Sequence, residues 1–223
     1  LFKEPNIPKN FIYIRTWLVP KSIKKGYVQD DYFRQLIDDL SLEHNVIVGF
    51  QPLHYGSLLR KFKNNNQSEN YIMPIALLNF YDIIVLFLNY LLNARLKIQK
   101  QYFFNGNNVT SMIDISLQKD YFKLRSFQAY LELEIAKKIS KKKIKYFIYI
   151  FENQAWENAY LINLNKKIKK IGYQSSGFSF RFLNFFPSKT DKNKYLFPDK
   201  IITVGETFSA YLKRYGNFPI VID

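Results

Sequence analysis

The sequence predicts an α/β fold in which helices cover both faces of a mostly parallel sheet. Three observations carry that expectation. Runs rich in β-branched and aromatic residues recur along the chain without apolar–polar alternation, as in strands buried on both sides. Segments with helical spacing separate them. At 223 residues with 48% apolar side chains, the chain can bury a full core and is expected to form one domain.

The elements follow in order. Phe11 to Val19 (FIYIRTWLV) reads as a strand closed by Pro20. Asp30 to Leu42 places Phe33, Leu36, Ile37 and Leu40 at helical spacing, and Val46 to Phe50 is a short buried strand. Asn64 to Ser68 is a polar loop. Ile144 to Phe151 (IKYFIYIF) is the clearest strand, followed by a helix over Ala155 to Ile168 and a strand over Ile171 to Gln174. Lys200 to Val204 is a further strand after Pro198. A helix over Thr207 to Tyr215 stops at Gly216, and Pro219 opens a last strand. The chain starts at Leu1 without an initiator Met or signal peptide, and ends on what reads as a strand just begun. A longer parent protein is therefore expected.

Composition excludes several classes. The apolar content is too high for a disordered polycation. With no cysteine, a disulfide scaffold, a thiolate metal site and a cysteine nucleophile are all ruled out. The net charge of +15 comes from 33 Lys and Arg against 18 Asp and Glu, but 26 of the bases are Lys. With 20 Asn and 25 Ile against 7 Ala, that bias resembles A/T-rich coding, and base readers favour Arg for its planar fork. No nucleic-acid partner is expected. Attraction to an anionic membrane or substrate fits the charge better.

Two stretches stand out. Tyr71 to Leu92 has no Lys or Arg, and a long apolar helix is expected within about 74–100, starting near Pro74. Asn79, Asp82, Asn89 and Asn93 fall on one stripe of it. An ionisable residue mid-span argues against a membrane crossing. Two readings remain: a helix packed on the sheet, or one lying in the lipid interface and anchored by Arg95, Lys97 and Lys100. Lys137 to Lys170 holds ten Lys against Glu152 and Glu157, either a solvated edge or a rim that meets phospholipid or a phosphorylated substrate.

Open parallel sheets bind ligands beyond the carboxyl ends of their strands. Three such exits carry polar residues: Glu152-Asn153-Gln154-Ala155-Trp156-Glu157, then Gln174-Ser175-Ser176-Gly177, then Gly205-Glu206-Thr207. All three are expected to converge on one rim. Glu152 follows a nearly apolar strand, so its carboxyl would be partly desolvated and a better base. The competing role for Glu152 and Asn153 is helix capping, and Glu157 suits a dipole partner. Trp156 fits either a sugar-stacking ring or a core residue. Ser175, Ser176 and Gly177 suit backbone contacts to phosphate or hydroxyl groups, or a plain turn. No G-x-G-x-x-G, Walker, Asp-x-Asp or Gly-x-Ser-x-Gly motif occurs, and His44 and His54 lack a ligand pattern, so no metal is expected.

At these exits the sequence resembles bacterial surface-carbohydrate glycosyltransferases of the GT-B type. The likeness rests on Phe151 to Glu157, Gly172 to Ser176, Asn184-Phe185-Phe186-Pro187, and Phe197-Pro198-Asp199-Lys200-Ile201 to Gly205; it is firmest over 146–216 and thin over 1–140. It implies a Rossmann-like, acceptor-side N-terminal domain, with the donor-binding C-terminal domain beyond residue 223. The family's His in its Y-Q-H-S segment is Ser175 here. The implied function is sugar transfer from a nucleotide sugar to a surface glycan or lipid-linked acceptor. Glu152 would be the base, and Asn153, Gln154, Trp156, Glu157, Gln174, Ser175, Ser176, Gly205 and Glu206 the substrate contacts. No cofactor or metal is implied, the fragment alone would be inactive, and the location is the cytoplasm at the inner face of the membrane. The alternative is a non-catalytic carbohydrate- or membrane-binding domain.

Overall fold

A computed structural model describes residues 5–52, 56–66, 68–93, 101–175, 177, 183–187, 196–216, 218 and 221–222. His54, Arg95, Lys97, Lys100 and Ser176 fall outside the described residues. The chain forms β1 (Phe11–Leu18), a small ribbon of β2 (Ile23–Lys24) and β3 (Tyr27–Val28), α1 (Arg34–Ser41), β4 (Asn45–Pro52), α2 (Ser57–Asn65) and β5 (Tyr71–Ile72). It continues with α3 (Phe80–Leu92), a second ribbon of β6 (Phe103–Phe104) and β7 (Asn107–Asn108), α4 (Thr110–Tyr121) and α5 (Leu124–Ser140). Then follow β8 (Ile144–Ile150), α6 (Ala155–Asn163), β9 (Lys169–Gln174), β10 (Lys200–Thr203), α7 (Glu206–Tyr215) and β11 (Val221–Ile222).

Seven strands make one sheet in the order β11-β10-β9-β8-β1-β4-β5, and every pairing is parallel. The chain winds outward from β1 to β5, returns to β8 beside β1, and winds out the other way. Right-handed crossovers then put helices on opposite faces in the two halves. The β1 side chains alternate accordingly. Ile12, Ile14 and Leu18 pack with Phe33, Ile37, Leu58 and Phe62 on the side of α1 and α2. Phe11 and Tyr13 pack with Ile135, Ile139, Tyr160 and Leu212 on the side of α5, α6 and α7. The fold is thus a Rossmann-like α/β domain in general kind. On the α1 side of the sheet a groove of about 730 Å³ lies beside α1, walled by Leu36, Leu40, Ile148, Ile171 and Ile202.

Arg15 interrupts this apolar strand and is 1% exposed. Its guanidinium donates to the Gly49 carbonyl oxygen at 3.0 Å, to Gln51, and to Glu132 of α5 at 2.6 Å. The Tyr160 hydroxyl donates to the other Glu132 oxygen at 2.9 Å. A buried pair is tolerated when such bonds satisfy both ions. Gly49 is required beside it, because a Cβ there would collide with the Tyr13 hydroxyl and with Pro74.

Several boundaries differ from expectation. The apolar helix expected within about 74–100 starts later than Pro74, and residues 94–100 lie outside the described residues. Pro74–Leu77 is a single 3-10 turn, and α3 begins only at Phe80 because Asn79 and Asp82 cap it reciprocally, each side chain accepting from the other's backbone N–H at 2.8–2.9 Å. The polar residues that were read as a stripe therefore serve in part as end groups. The helix expected over 155–168 ends at Asn163, where Leu164 turns extended. The helix expected from Asp30 starts at Arg34, since the buried Asp30 carboxylate folds the preceding turn by accepting from the Tyr32 and Phe33 amides and the Thr16 hydroxyl.

Removing the Glu132 carboxylate would strand the Arg15 charge in the core. Glu132→Ala is expected to lower stability by about 3–5 kcal/mol, read as a shift in the urea midpoint. A loss under about 1 kcal/mol would mean that water reaches Arg15.

Candidate functional site

Because helices leave β1 and β8 toward opposite faces, a crevice opens between the carboxyl ends of these two strands, where the strand order reverses. Here it is a cleft of about 700 Å³. Trp17 comes from the end of β1, Tyr32 from the turn before α1, and Pro52 from the end of β4. Gln128 and Ala129 of α5, the segment 152–156, and Asn184 complete the lining. No Lys or Arg is among these residues, in a chain of net charge +15.

The segment after β8 is held by its own side chains. Glu157 is 1% exposed, and its carboxylate accepts from the backbone N–H groups of Glu152, Asn153 and Gln154 at 2.8, 3.1 and 3.0 Å. This is capping of α6, with every acceptor bond directed at the loop backbone. Burial pushes the Glu157 carboxyl well up, and the three N–H groups oppose that shift. Asn153 takes the left-handed conformation (φ 51°) that Asn tolerates better than most residues. Its side-chain amide donates to the Asn184 carbonyl at 2.7 Å, while the Asn184 amide donates to the Glu152 carbonyl. The two asparagines thus clamp the 3-10 turn Leu183–Phe185 to the mouth of the sheet.

This clamp leaves the Glu152 side chain in the cleft. It is half-buried and accepts from the Gln154 amide, with Trp17 lining the same cleft. Burial raises its carboxyl above the usual range, and the nearby Trp17 indole partly offsets that. Burial and the Glu152 charge also raise the Tyr32 phenol. Trp17 meets Trp156 edge to face at 5.8 Å, and the Arg15 guanidinium lies 5.7 Å from the Trp156 ring on its buried side. The arrangement offers a carboxylate able to take a proton, side-chain amides able to bond hydroxyls, and aromatic rings able to pack on a sugar face.

The three exits do share one rim. Ile150 pairs with Tyr173, and Gln174 with Thr203, so the chain leaves β8, β9 and β10 on the same edge. Only the first exit lines the cleft. Gln174 is buried and its side chain accepts from the Val204 amide at 3.4 Å; Ser175 is half-buried. Gly205 (φ 86°) and the exposed Glu206 open α7. Those exits stand one and two strands from β8, about 5 and 10 Å. Trp17, Tyr32 and Gln128 were missed because the exit from β1 is apolar and α5 carried no expectation. The strand order, had it been known, would have pointed to them.

The lysine runs lie elsewhere. Lys141 to Lys143 precede β8 and Lys166 to Lys170 lead into β9, both at the amino ends of the strands and opposite the cleft. Lys170 is not solvated: it is 7% exposed, its ammonium donates to the carbonyls of Asn165 and Ile168, both at 3.2 Å, and burial lowers its pKa. Among the described residues no three of His, Cys, Asp and Glu gather as a metal site.

No protein-family model, curated protein or solved structure matches this chain. What fold and cleft define is a doubly wound α/β domain with a ligand-sized crevice at its strand-order reversal, whose described lining carries the Glu152 carboxyl and no Lys or Arg.

Glu157→Ala leaves three loop amides unbonded and is expected to cost about 2–4 kcal/mol of stability. Glu152→Gln should behave oppositely. A carboxyl whose folded pKa is raised is stabilising in its protonated form, and that contribution is lost as pH rises through the folded value. At pH 7 the Gln variant is expected to be at least as stable as the parent, the gap closing in acid; urea midpoints across pH test both.

Proposed function

We propose that this chain is the acceptor-side domain of a two-domain, GT-B-type glycosyltransferase, with Glu152 as the catalytic base. The observation that carries the reading is the half-buried Glu152 carboxylate, of raised pKa, in a cleft walled by Trp17, Tyr32 and Trp156 and by the amides of Gln128, Gln154 and Asn184. Among the described residues the lining holds no Lys or Arg, which suits a hydroxyl-rich acceptor better than a phosphate. In the proposed step the carboxylate takes the acceptor hydroxyl proton as that oxygen bonds the anomeric carbon. The bond from that carbon to the nucleotide phosphate breaks, and the nucleoside diphosphate leaves. A second domain would hold the nucleotide, and the resemblance over 146–216 favours that arrangement. The exits at Gln174–Gly177 and Gly205–Glu206 would face that domain across the rim.

Both tryptophans of the chain line the cleft, so intrinsic fluorescence reports on it directly. Titration with neutral oligosaccharides is expected to shift or quench the emission saturably. Glu152→Gln should keep that binding, yet lose about a hundredfold or more of sugar transfer in the protein that carries both domains. Binding with unchanged transfer would remove Glu152 from the chemistry. Saturable binding with no transfer from any nucleotide sugar would favour a carbohydrate-binding domain, and silent fluorescence throughout would overturn both.

A further inference from the structure

The outer side of α3 is apolar although it faces solvent. Ile83, Leu86 and Tyr90 turn inward, the last stacked on Tyr121 at 4.7 Å. Tyr81, Ile84, Leu88 and Leu91 recur every three or four residues on the opposite side and are all more than 40% exposed. Lys138 of α5 pairs with Asp82 at the start of α3, and Phe127 and Tyr130 of α5 contact Tyr90 near its end, so the two helices run antiparallel. The same character recurs in the β6–β7 ribbon, where Phe103 and Phe104 are exposed, and in α4, which packs on α5 as α3 does, with Met112 and Ile115. Of the 23 large apolar side chains exposed among the described residues, 14 fall within residues 80–122. Monomeric proteins rarely leave such a surface bare, so it calls for a partner.

We infer that this surface docks on an anionic lipid bilayer, with α3 lying in the plane of the interface. Charge selects that occupant. Lys138, Lys141 and Lys142 border a hollow of about 470 Å³ at the amino end of α3. The nearby acids are largely answered: Asp82 by Lys138 and Asp120 by Lys123. Lys141 and Lys142 remain exposed beside the amino end of α3, and the exposed Lys143 follows them. A second copy would bring the same excess of positive charge and repel, whereas acidic headgroups attract it. Crossing the bilayer is not an option for α3, since its 13 residues reach about 20 Å against a hydrocarbon thickness of about 30 Å. No helix among the described residues is long and apolar enough to cross. An interfacial helix instead needs an apolar face, aromatic residues and flanking lysines, all of which are here. The docked edge runs along α5 from Lys138 toward Gln128 at the cleft, so a hydroxyl presented by a membrane lipid would lie near the opening.

Cosedimentation of the full chain with phosphatidylcholine vesicles, with and without phosphatidylglycerol, tests this without any sugar or enzymatic readout. It therefore succeeds or fails independently of the transferase reading. At low salt the chain is expected to favour the anionic vesicles by about tenfold or more, each lysine near such a surface contributing about fivefold, and to release at high salt. Lys141→Glu with Lys142→Glu should abolish that preference. Tyr81→Ser with Leu88→Ser should cut retention about tenfold or more while leaving the urea midpoint close to the parent's. Absence of retention on anionic vesicles, or retention indifferent to the Tyr81/Leu88 pair, would overturn the inference. So would sedimentation equilibrium showing a dimer that the Tyr81/Leu88 pair dissolves, because the face would then belong to a second copy.

Discussion

The Arg15–Glu132 ion pair joins more of this molecule than any other contact. Arg15 rises from the first strand, an interior one, and bonds the backbone and Gln51 of β4 on one side, and Glu132 of α5 above it. Its guanidinium also approaches the rings of Trp156 and Tyr160 on α6. Two charges taken out of water are stable only if every neighbour keeps its place. The pair therefore fixes how α5 and α6 sit on the sheet. Gln128 and Ala129, one turn before Glu132, and Trp156, which rests on Arg15, are walls of the cleft. The shape of the crevice is thus set from beneath, by a contact that no ligand touches.

Above this layer a second device shapes the loop after β8. Glu157 satisfies three backbone amides that would otherwise be orphaned at the start of α6, and Asn153 and Asn184 exchange side-chain bonds with the facing backbone. Two carboxylates five residues apart consequently have different fates. Glu157 is consumed by the backbone, while Glu152 stays half in water with the Gln154 side-chain amide as a partner. Burial raises both carboxyls, but only one of them faces the opening.

The domain also separates its surfaces by chemistry. The Glu152 carboxyl, side-chain amides and aromatic rings lie at the carboxyl ends of β1 and β8, and lysines at the amino ends of β8 and β9. The apolar outer face of α3 and α4 lies along the flank of α5. The strong positive charge of the chain therefore says little about what enters the cleft, and more about what the rest of the surface meets.

The amino-acid order by itself determined the parallel α/β character, because apolar runs such as Ile144–Ile150 can be buried only between two layers. It also marked Glu152 as a carboxylate emerging from a buried strand. It did not reveal that Glu157 faces inward, that Asn79 and Asp82 cap the start of α3, or that Trp17 and Tyr32 share the cleft with Glu152. Those features depend on which strands become neighbours and on which faces their helices fall. Both are decided by contacts between residues far apart in the chain, such as Arg15 with Glu132, separated by 117 positions. Local periodicity reports whether a segment will be buried; only tertiary packing decides against what.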